Sequence, residues 1–220
     1  MPGIRPSDIP HIYTDGSNLY TRSLAPGRAV YGERLVTQDG VEYRFWNPKK
    51  SKLAALILKG CKTFPFATDS TVLYLGAASG TTASHLSDVC TQGMIYCVEI
   101  APRPFRKLMS VSESRENMAP LLTDANRPEN YMTVLGRADI LYQDIAQRNQ
   151  AEIFIKNLGL IKEDGFAFLM LKARSIDVTR KPEKVYQSVE NELADAGVRI
   201  LQRVDLAPYE RDHAAFLARK

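Results

Sequence analysis

Four residues that could bind a nucleoside each follow a separate apolar run of the chain. Gly76 follows the run VLYL, and Glu99 ends the next run, MIYCVE, 23 residues later. Asp124 and Asp144 come directly after two further apolar runs. A carboxylate at the end of a buried strand can accept hydrogen bonds from both hydroxyls of a ribose. The four residues therefore predict a pocket for a nucleoside with a short polar tail.

The corner VLYLGAASGTT resembles a dinucleotide-binding turn but lacks its middle glycine. Without that glycine the backbone is less able to approach a pyrophosphate closely. A helix beginning at Thr81 and Thr82 would offer free N–H groups to a carboxylate. S-adenosyl-L-methionine (SAM) carries adenosine, an amino group and a carboxylate but no phosphate. We therefore expect SAM rather than NAD as the cofactor, and no metal.

Each of these signals has a simpler interpretation when it is taken alone. Gly76 and Gly80 could merely allow a tight turn. A carboxylate at the end of a strand could cap the following helix instead of binding a ligand. The occurrence of such residues at four successive strand ends favours a ligand.

Strand-like apolar runs alternate with helical patterns from residue 51 onward, and these elements would position the candidate ligand-binding residues. Near-continuous apolar runs are typical of parallel strands buried on both faces, and helical patterns lie between them. This alternation predicts an α/β fold with helices on both faces of the sheet. The C-terminal runs VRILQRVDLAP and HAAFLARK predict a closing antiparallel hairpin. The predicted strands span 71–76, 94–99, 119–123, 138–143 and 166–172, and the predicted helices 81–91, 103–115, 127–135, 149–161 and 182–196.

Residues 1–50 have a different texture, with many turn formers and short alternating runs. Asp39-Gly40 between alternating apolar residues is a strong hairpin signal. Ser51 and Gly60 are suitable caps for a short helix between them. We therefore predict a small N-terminal β domain at 1–50 and a second domain at 51–220.

The bulk composition fits an ordinary globular protein and only weakly indicates a polyanionic partner. The chain has 220 residues and a net charge of +4, and residues 1–52 hold eight Lys and Arg against five Asp and Glu. Three cysteines without a C-x-x-C pair predict free thiols in a reducing compartment. The sequence shows neither a signal-peptide core nor an apolar run long enough to cross a bilayer. We expect a cytoplasmic protein without membrane contact.

Several long blocks of the sequence resemble one known family. They are YRFWNPKKSKLAALI, VLYLGAASGTTASHLSD, VEIAPR, YQDIAQRNQAEI, LKARSIDVT and DLAPYERDHAAF. Together they are similar to fibrillarin, and specifically to its archaeal fibrillarin-like type. The resemblance extends from about residue 10 to the end of the chain.

The resemblance implies a SAM-dependent RNA 2′-O-methyltransferase that modifies rRNA and, in archaea, tRNA. It implies a class I methyltransferase fold, Rossmann-like with a seven-stranded sheet, and a small N-terminal β domain. It also implies partners: a Nop-domain scaffold protein, a box C/D guide RNA with its target rRNA or tRNA, and a kink-turn-binding ribosomal-type protein that joins through the RNA.

The resemblance also assigns roles to individual residues. Near the target hydroxyl it places a charged tetrad: Lys52, Asp144, Lys172 and His213. We expect Lys172 to accept the hydroxyl proton and His213 to position the ribose, although alignment alone with proton loss to water remains an alternative. The expected cofactor-binding residues are Gly76, Ala77, Thr81, Thr82, Glu99, Ile100, Asp124, Ala125, Asp144, Ile145, Ala146 and Gln147.

Basic residues near the expected reaction centre could contact RNA phosphates. They are Arg44, Lys49, Lys50, Lys52, Arg174 and Arg180, and taken singly each is more simply interpreted as an exposed solubilising charge. Two other functions stay open from the residues: a methyltransferase for a small molecule or a protein side chain such as glutamine, and a non-catalytic structural subunit.

Overall fold

The N-terminal region forms an antiparallel sheet of its own in the computed structural model, which describes residues 3–220. The strand order is β1-β2-β3-β5-β4. Asp39 and Gly40, both with positive φ, form the two-residue turn between β4 and β5, so the predicted hairpin is confirmed. The strands are β1 (Arg5–Pro6), β2 (Ile12–Thr14), β3 (Leu19–Arg22), β4 (Leu35–Gln38) and β5 (Val41–Trp46).

A larger sheet follows, with the strand order β11-β12-β10-β9-β6-β7-β8. Five of its strands run parallel to their neighbours, whereas β12 lies antiparallel between β10 and β11. The elements are α1 (Lys52–Leu58), β6 (Thr71–Leu75), α2 (Thr81–Val89), β7 (Met94–Glu99), α3 (Pro102–Ser112), β8 (Met118–Leu122), α4 (Met132–Leu135), β9 (Ala138–Gln143), α5 (Gln150–Leu158), β10 (Ile161–Lys172), α6 (Ala173–Ile176), α7 (Pro182–Asp195), β11 (Arg199–Asp205) and β12 (His213–Arg219).

This architecture confirms the predicted α/β fold and its terminal hairpin, with local differences. The helix predicted over 127–135 is a 3₁₀ turn at Pro128–Asn130 followed by the single turn of α4. The helix predicted to reach residue 161 ends at Leu158, and β10 begins at Ile161 rather than 166. The pairing of β10 with β9 is irregular between Ile161 and Phe166, and such an interruption weakens the strand pattern in the sequence.

Apolar side chains cover both faces of the larger sheet, as its continuous apolar runs predict. One core lies between the sheet and helices α1 and α2 and contains Trp46 of β5. The other lies on the opposite face and includes residues of α5 and α7. The sheet is therefore fixed from both sides, and its carboxyl-terminal edge is a rigid platform for side chains.

Buried charges join the N-terminal sheet to α2. Arg44 of β5 donates to Glu33 at 2.6 Å and to Asp88 of α2 at 2.7 Å, and all three side chains are fully buried. Arg115 donates to the second oxygen of Asp88 at 2.6 Å. This pairing excludes Arg44 from RNA contact, contrary to the prediction, because its guanidinium is buried among carboxylates.

The domain boundary at residue 50 remains a prediction, although no strand of either sheet crosses it among the described residues. The three cysteines are free thiols; Cys90 and Cys97 are buried and Cys61 is partly buried. Among residues 3–220, no helix has the length and apolar character that crossing a membrane requires.

Candidate active site

The candidate site lies where the strand order of the larger sheet reverses. From β6 the chain proceeds through β7 to β8 on one side, and then returns to β9 on the other side of β6. Loops that leave β6 and β9 in opposite directions open a crevice at the carboxyl ends of these strands. The loops after β6, β7, β8 and β9 carry the residues predicted to bind the cofactor.

Gly76 allows the loop after β6 to pass directly beside the loop after β9. Its φ is +80°, and a Cβ there would lie 2.3 Å from the carbonyl oxygen of Asp144. The Gly76 N–H donates to Val98 O at 2.9 Å, and the Asp144 N–H donates to Leu75 O at 2.9 Å. Any larger residue would push these strand ends apart, so the glycine is required by the protein's own backbone.

Glu99 ends β7 and is held by backbone groups on both sides. Its Oε2 accepts from the Ala78 N–H at 2.9 Å, and its Oε1 accepts from the Ala101 N–H at 2.7 Å. Each carboxylate oxygen has further lone pairs, so Glu99 can still accept hydrogen bonds from a ribose. The two backbone donors fix the carboxylate before any ligand binds.

These loops enclose a cavity of about 270 Å³. This volume is just below the usual range for ligand pockets, about 300–1,000 Å³, and suits a nucleoside. Nine of the twelve residues predicted to bind the cofactor line it: Gly76, Glu99, Ile100, Asp124, Ala125, Asp144, Ile145, Ala146 and Gln147. Ala78, Val98 and Thr123 also line it and were not predicted.

The other three predicted cofactor residues, Ala77, Thr81 and Thr82, are outside the cavity lining. Ala77 is buried beneath the corner, where its N–H donates to Val98 O at 3.1 Å. Thr82 is also buried and donates to Ser51 Oγ at 2.9 Å. Thr81 begins α2 after Gly80, whose lack of a side chain leaves the helix N-terminus without a side-chain cap.

Amide side chains connect the loops on either side of the cavity. Asp124 Oδ1 accepts from the Asn126 N–H at 2.9 Å and from Asn126 Nδ2 at 3.1 Å. Asn126 Nδ2 lies 3.3 Å from Gln147 Oε1, and Asn149 Nδ2 donates to Asn126 Oδ1 at 2.9 Å. The sequence indicated only Asp124 and Gln147, because loop-to-loop amide contacts leave no periodic pattern.

Lys52 and Asp144 form an ion pair beside the cavity. Lys52 Nζ lies 2.9 Å from Oδ1 and 3.0 Å from Oδ2 of Asp144. Ser51 caps α1 by accepting from the Ala54 N–H, so Lys52 is fixed as the first residue of that helix. Asp144 thus belongs both to the cavity lining and to a charged cluster beside it.

Lys172 and His213 are directly opposite each other on β10 and β12. The Ala173 N–H donates to Asp212 O across this ladder, so the neighbouring residues Ala173 and Asp212 form the hydrogen-bonded pair. The backbone N–H and C=O of Lys172 point away from β12 and bond to the side chain of Gln150. Lys172 and His213 are therefore a non-hydrogen-bonded pair, in which Cα atoms are about 4.5 Å apart and side chains are closest.

His213 is held in one tautomer. Its Nδ1 lies 2.7 Å from the carbonyl oxygen of Arg211, which can only accept, so Nδ1 carries the proton. Burial, with a contribution from the positive charge of Lys52, lowers the pKa of His213. The ring is therefore neutral at pH 7, and Nε2 is a hydrogen-bond acceptor.

Comparison with known proteins identifies the family of the chain. The family model described as Fibrillarin matches residues 8–220. The chain belongs to the fibrillarin family.

Relatives resemble the chain over almost their whole length. The fibrillarin-like rRNA/tRNA 2′-O-methyltransferase of Methanothermobacter thermautotrophicus is 49% identical, with 95% of this chain and 94% of the relative covered. The solved fibrillarin of Methanococcus jannaschii is 42% identical, with a TM-score of 0.94 and coverage of 100% and 98%. That of Aeropyrum pernix, solved with natively bound SAM, is 44% identical with a TM-score of 0.90 and coverage of 98% and 97%.

The predicted family and the predicted methyltransferase fold are thus confirmed. In this fibrillarin, Lys52 pairs with Asp144, and Lys172 lies opposite His213 on β10 and β12. The pKa of His213, which burial lowers, is also affected by the charges of Lys52 and Asp144. The sequence places these residues in four separate segments, and the ends of α1, β9, β10 and β12 bring them together.

Proposed function

We propose that this fibrillarin is the SAM-dependent 2′-O-methyltransferase of a box C/D guide ribonucleoprotein. Curated relatives that are 44–49% identical are named rRNA/tRNA 2′-O-methyltransferases. The observation that carries the proposal is the position of Asp144, which lines the nucleoside-sized cavity and also forms an ion pair with Lys52. A cofactor site and a charged reaction centre thus share one residue.

The residues of the cavity fit SAM. Glu99 offers carboxylate oxygens for ribose hydroxyls, and Asp124 and Ala125 would lie beside the adenine. Gln147 and Ala146 close the opposite side. The uncapped N-terminus of α2 at Thr81 would supply N–H groups for the methionine carboxylate. Thr82 and Ala77 would support the cofactor site indirectly. Thr82 holds the start of α2 by its hydrogen bond to Ser51, and Ala77 holds the loop after β6 by its backbone hydrogen bond to Val98.

The tetrad supplies the groups that the reaction requires. Bound SAM supplies a methyl group on a positively charged sulfur, and transfer to the ribose oxygen breaks the S–C bond, forms an O–C bond and releases the hydroxyl proton. Lys172 accepts this proton as a neutral amine, its own proton having first passed to water. His213 Nε2 accepts a hydrogen bond from the ribose and orients it. Lys52 keeps Asp144 in place by its ion pair.

Four exposed cations belong to segments that adjoin the reaction centre in the sequence, and we propose that they contact RNA phosphates. Lys49 and Lys50 lie just before α1, and Arg174 and Arg180 follow β10. Arg174 pairs with Asp212 at 3.0 Å, but both side chains are more than a third exposed, so this pair contributes little to stability. These residues are therefore available to an RNA backbone.

Sequence selection would come from the partners. A fibrillarin solved in complex with Nop5p is 45% identical to this chain, with a TM-score of 0.87 and coverage of 94% and 96%. By this likeness we assign a Nop-domain scaffold protein as the direct partner. The guide RNA pairs with the target, and a kink-turn-binding protein joins through the RNA. The cytoplasmic location expected from the sequence stays a prediction.

Methyl transfer to a guide-matched RNA tests the proposal. The complex is reconstituted with and without the scaffold protein and is supplied with SAM that carries a labelled methyl group. We expect label in the target nucleotide only with the complete complex. A target with 2′-deoxyribose at that nucleotide must stay unlabelled, and its labelling would refute 2′-O chemistry. Failure to bind SAM in calorimetry would favour a structural role.

A further inference from the structure

Gln150 is a fully buried amide at the start of α5, close to the reaction centre but outside the cavity. Its Oε1 accepts from the Lys172 N–H at 2.9 Å, and its Nε2 donates to Lys172 O at 3.1 Å. The same Nε2 donates to Gln147 O at 2.8 Å. Both Nε2 hydrogens are thus used within the protein, and no donor remains for a substrate.

The amide replaces a missing neighbour strand at the end of β10. The pairing of β10 with β9 ends at Leu169 opposite Gln143, whereas its pairing with β12 continues to Lys172. The outer N–H and C=O of Lys172 would therefore lack strand partners. The side chain of Gln150 bonds to both, as one residue of an adjacent strand would.

Gln150 also contacts two segments that adjoin the cofactor cavity. Gln147, whose carbonyl it binds, lines the cavity. The backbone carbonyl of Gln150 accepts from Gln143 Nε2 at 2.7 Å, and Gln143 directly precedes Asp144. One buried residue thus bonds to Lys172 and to both sides of the segment from Asp144 to Gln147.

We infer that Gln150 is a positioning residue for methyl transfer: it fixes the backbone of Lys172 relative to the cofactor loop at residues 144–147. The inference rests on the proposed function. The tertiary position of Lys172 matters because the hydroxyl, the methyl group and the proton acceptor must be aligned. Loss of the amide should therefore lower turnover more than cofactor affinity.

Gln150→Met tests this inference, with Asn117→Leu as the matched control. Asn117 is also a buried amide with three side-chain hydrogen bonds, to Ser87 and Cys90. It precedes β8 at the opposite end of the sheet, so its loss affects stability without touching the site. Both variants are assembled into the complete complex, and kcat at saturating RNA and SAM, the Kd for SAM and the Tm are measured.

For Gln150→Met we expect kcat to fall roughly 10²-fold, the loss that a displacement of about 1 Å can cause. The Kd for SAM should stay within about threefold, well under the tenfold that 1.4 kcal/mol represents. Asn117→Leu should lower the Tm comparably and keep the wild-type kcat. Gln150→Glu is the second test variant if Gln150→Met does not fold. It keeps the side-chain shape and the acceptor for the Lys172 N–H, but it loses the two hydrogen bonds that Gln150 donates to Gln147 O and Lys172 O.

A folded Gln150 variant with wild-type kcat would overturn the inference. So would equal losses of kcat and SAM affinity, or an equal loss of kcat in Asn117→Leu, because either would indicate general destabilisation. Absence of transfer by the wild-type complex would instead overturn the proposed function, and the inference with it.

Discussion

Replacement of Gly76 by alanine should both destabilise the fold and weaken cofactor binding. The new Cβ would lie 2.3 Å from the carbonyl oxygen of Asp144 and 2.9 Å from Cγ1 of Ile145. Optimal contacts between carbon atoms are about 3.5–4.0 Å, so the loop after β9 would have to move by about 1 Å. That movement would break the hydrogen bond from Asp144 to Leu75, which is 2.9 Å long.

The cost follows from three physical effects. An alanine at a φ of +80° costs roughly 1–2 kcal/mol. Overpacking costs about 1–3 kcal/mol, and the lost hydrogen bond about 1 kcal/mol. We expect a decrease of roughly 3–6 kcal/mol in the free energy of unfolding. Because Asp144 and Ile145 line the cavity, the Kd for SAM should rise by at least about tenfold.

Gly197→Ala is the matched control. Gly197 follows α7 with a φ of +77°, and a Cβ there would have no atom within 4 Å. This variant therefore isolates the conformational cost, about 1–2 kcal/mol, and should not change the Kd for SAM. Urea unfolding and calorimetry measure both quantities. Equal destabilisation by the two substitutions, or an unchanged Kd in Gly76→Ala, would refute the close approach of the two loops.

Three further predictions concern charged side chains. Lys172→Ala should abolish methyl transfer while the calorimetric Kd for SAM is retained, and near-normal turnover would refute its role as the base. Arg44→Met should lower the free energy of unfolding by about 3–5 kcal/mol, because the buried Glu33 loses its arginine and the buried Asp88 keeps only Arg115 of its two arginines. Arg203→Met, which removes a more exposed arginine from two carboxylates, should cost about 0–1 kcal/mol in the same urea titration. Burial, with the charges of Arg44 and Arg115, lowers the pKa of His85 well below its usual value, so the unfolded chain binds a proton more readily than the folded protein. The free energy of unfolding should therefore fall by about 1.4 kcal/mol per pH unit from this group as the pH drops below about 6.5. The variant His85→Gln should lack this pH dependence, and a similar dependence in that variant would contradict the prediction.

The sequence could predict the cofactor side of the site because that side consists of strand ends. Apolar runs in the sequence indicate β6, β7 and β9, and a residue at or directly after the end of each predicted strand lines the cavity. Gly76, Glu99 and Asp144 were found in this way. The cluster of Lys52, Asp144, Lys172 and His213 could be predicted only from the family resemblance, because Lys52 and His213 lie in segments whose approach depends on the whole sheet.

Residues that act through tertiary hydrogen bonds could not be predicted. Arg44 lies near Lys49 and Lys50 in the sequence and was grouped with them as a possible RNA contact. Its partner Asp88 is 44 residues away in the sequence, so nothing local signals that the guanidinium is buried. Gln150 lies in a helical pattern like any polar residue, and its bonds to Lys172 span 22 residues.

The buried charges at Asp88 indicate that the N-terminal sheet contributes to the stability of the larger sheet and its helices. Asp88 lies one residue before the end of α2, and Arg44 and Arg115 both donate to it. Arg44 belongs to β5 and also donates to Glu33, so one buried guanidinium connects the N-terminal sheet to α2. Removing one partner of a buried ion pair leaves an uncompensated charge, which is strongly destabilising. The N-terminal sheet is therefore a fixed part of the fold rather than a loosely attached appendage.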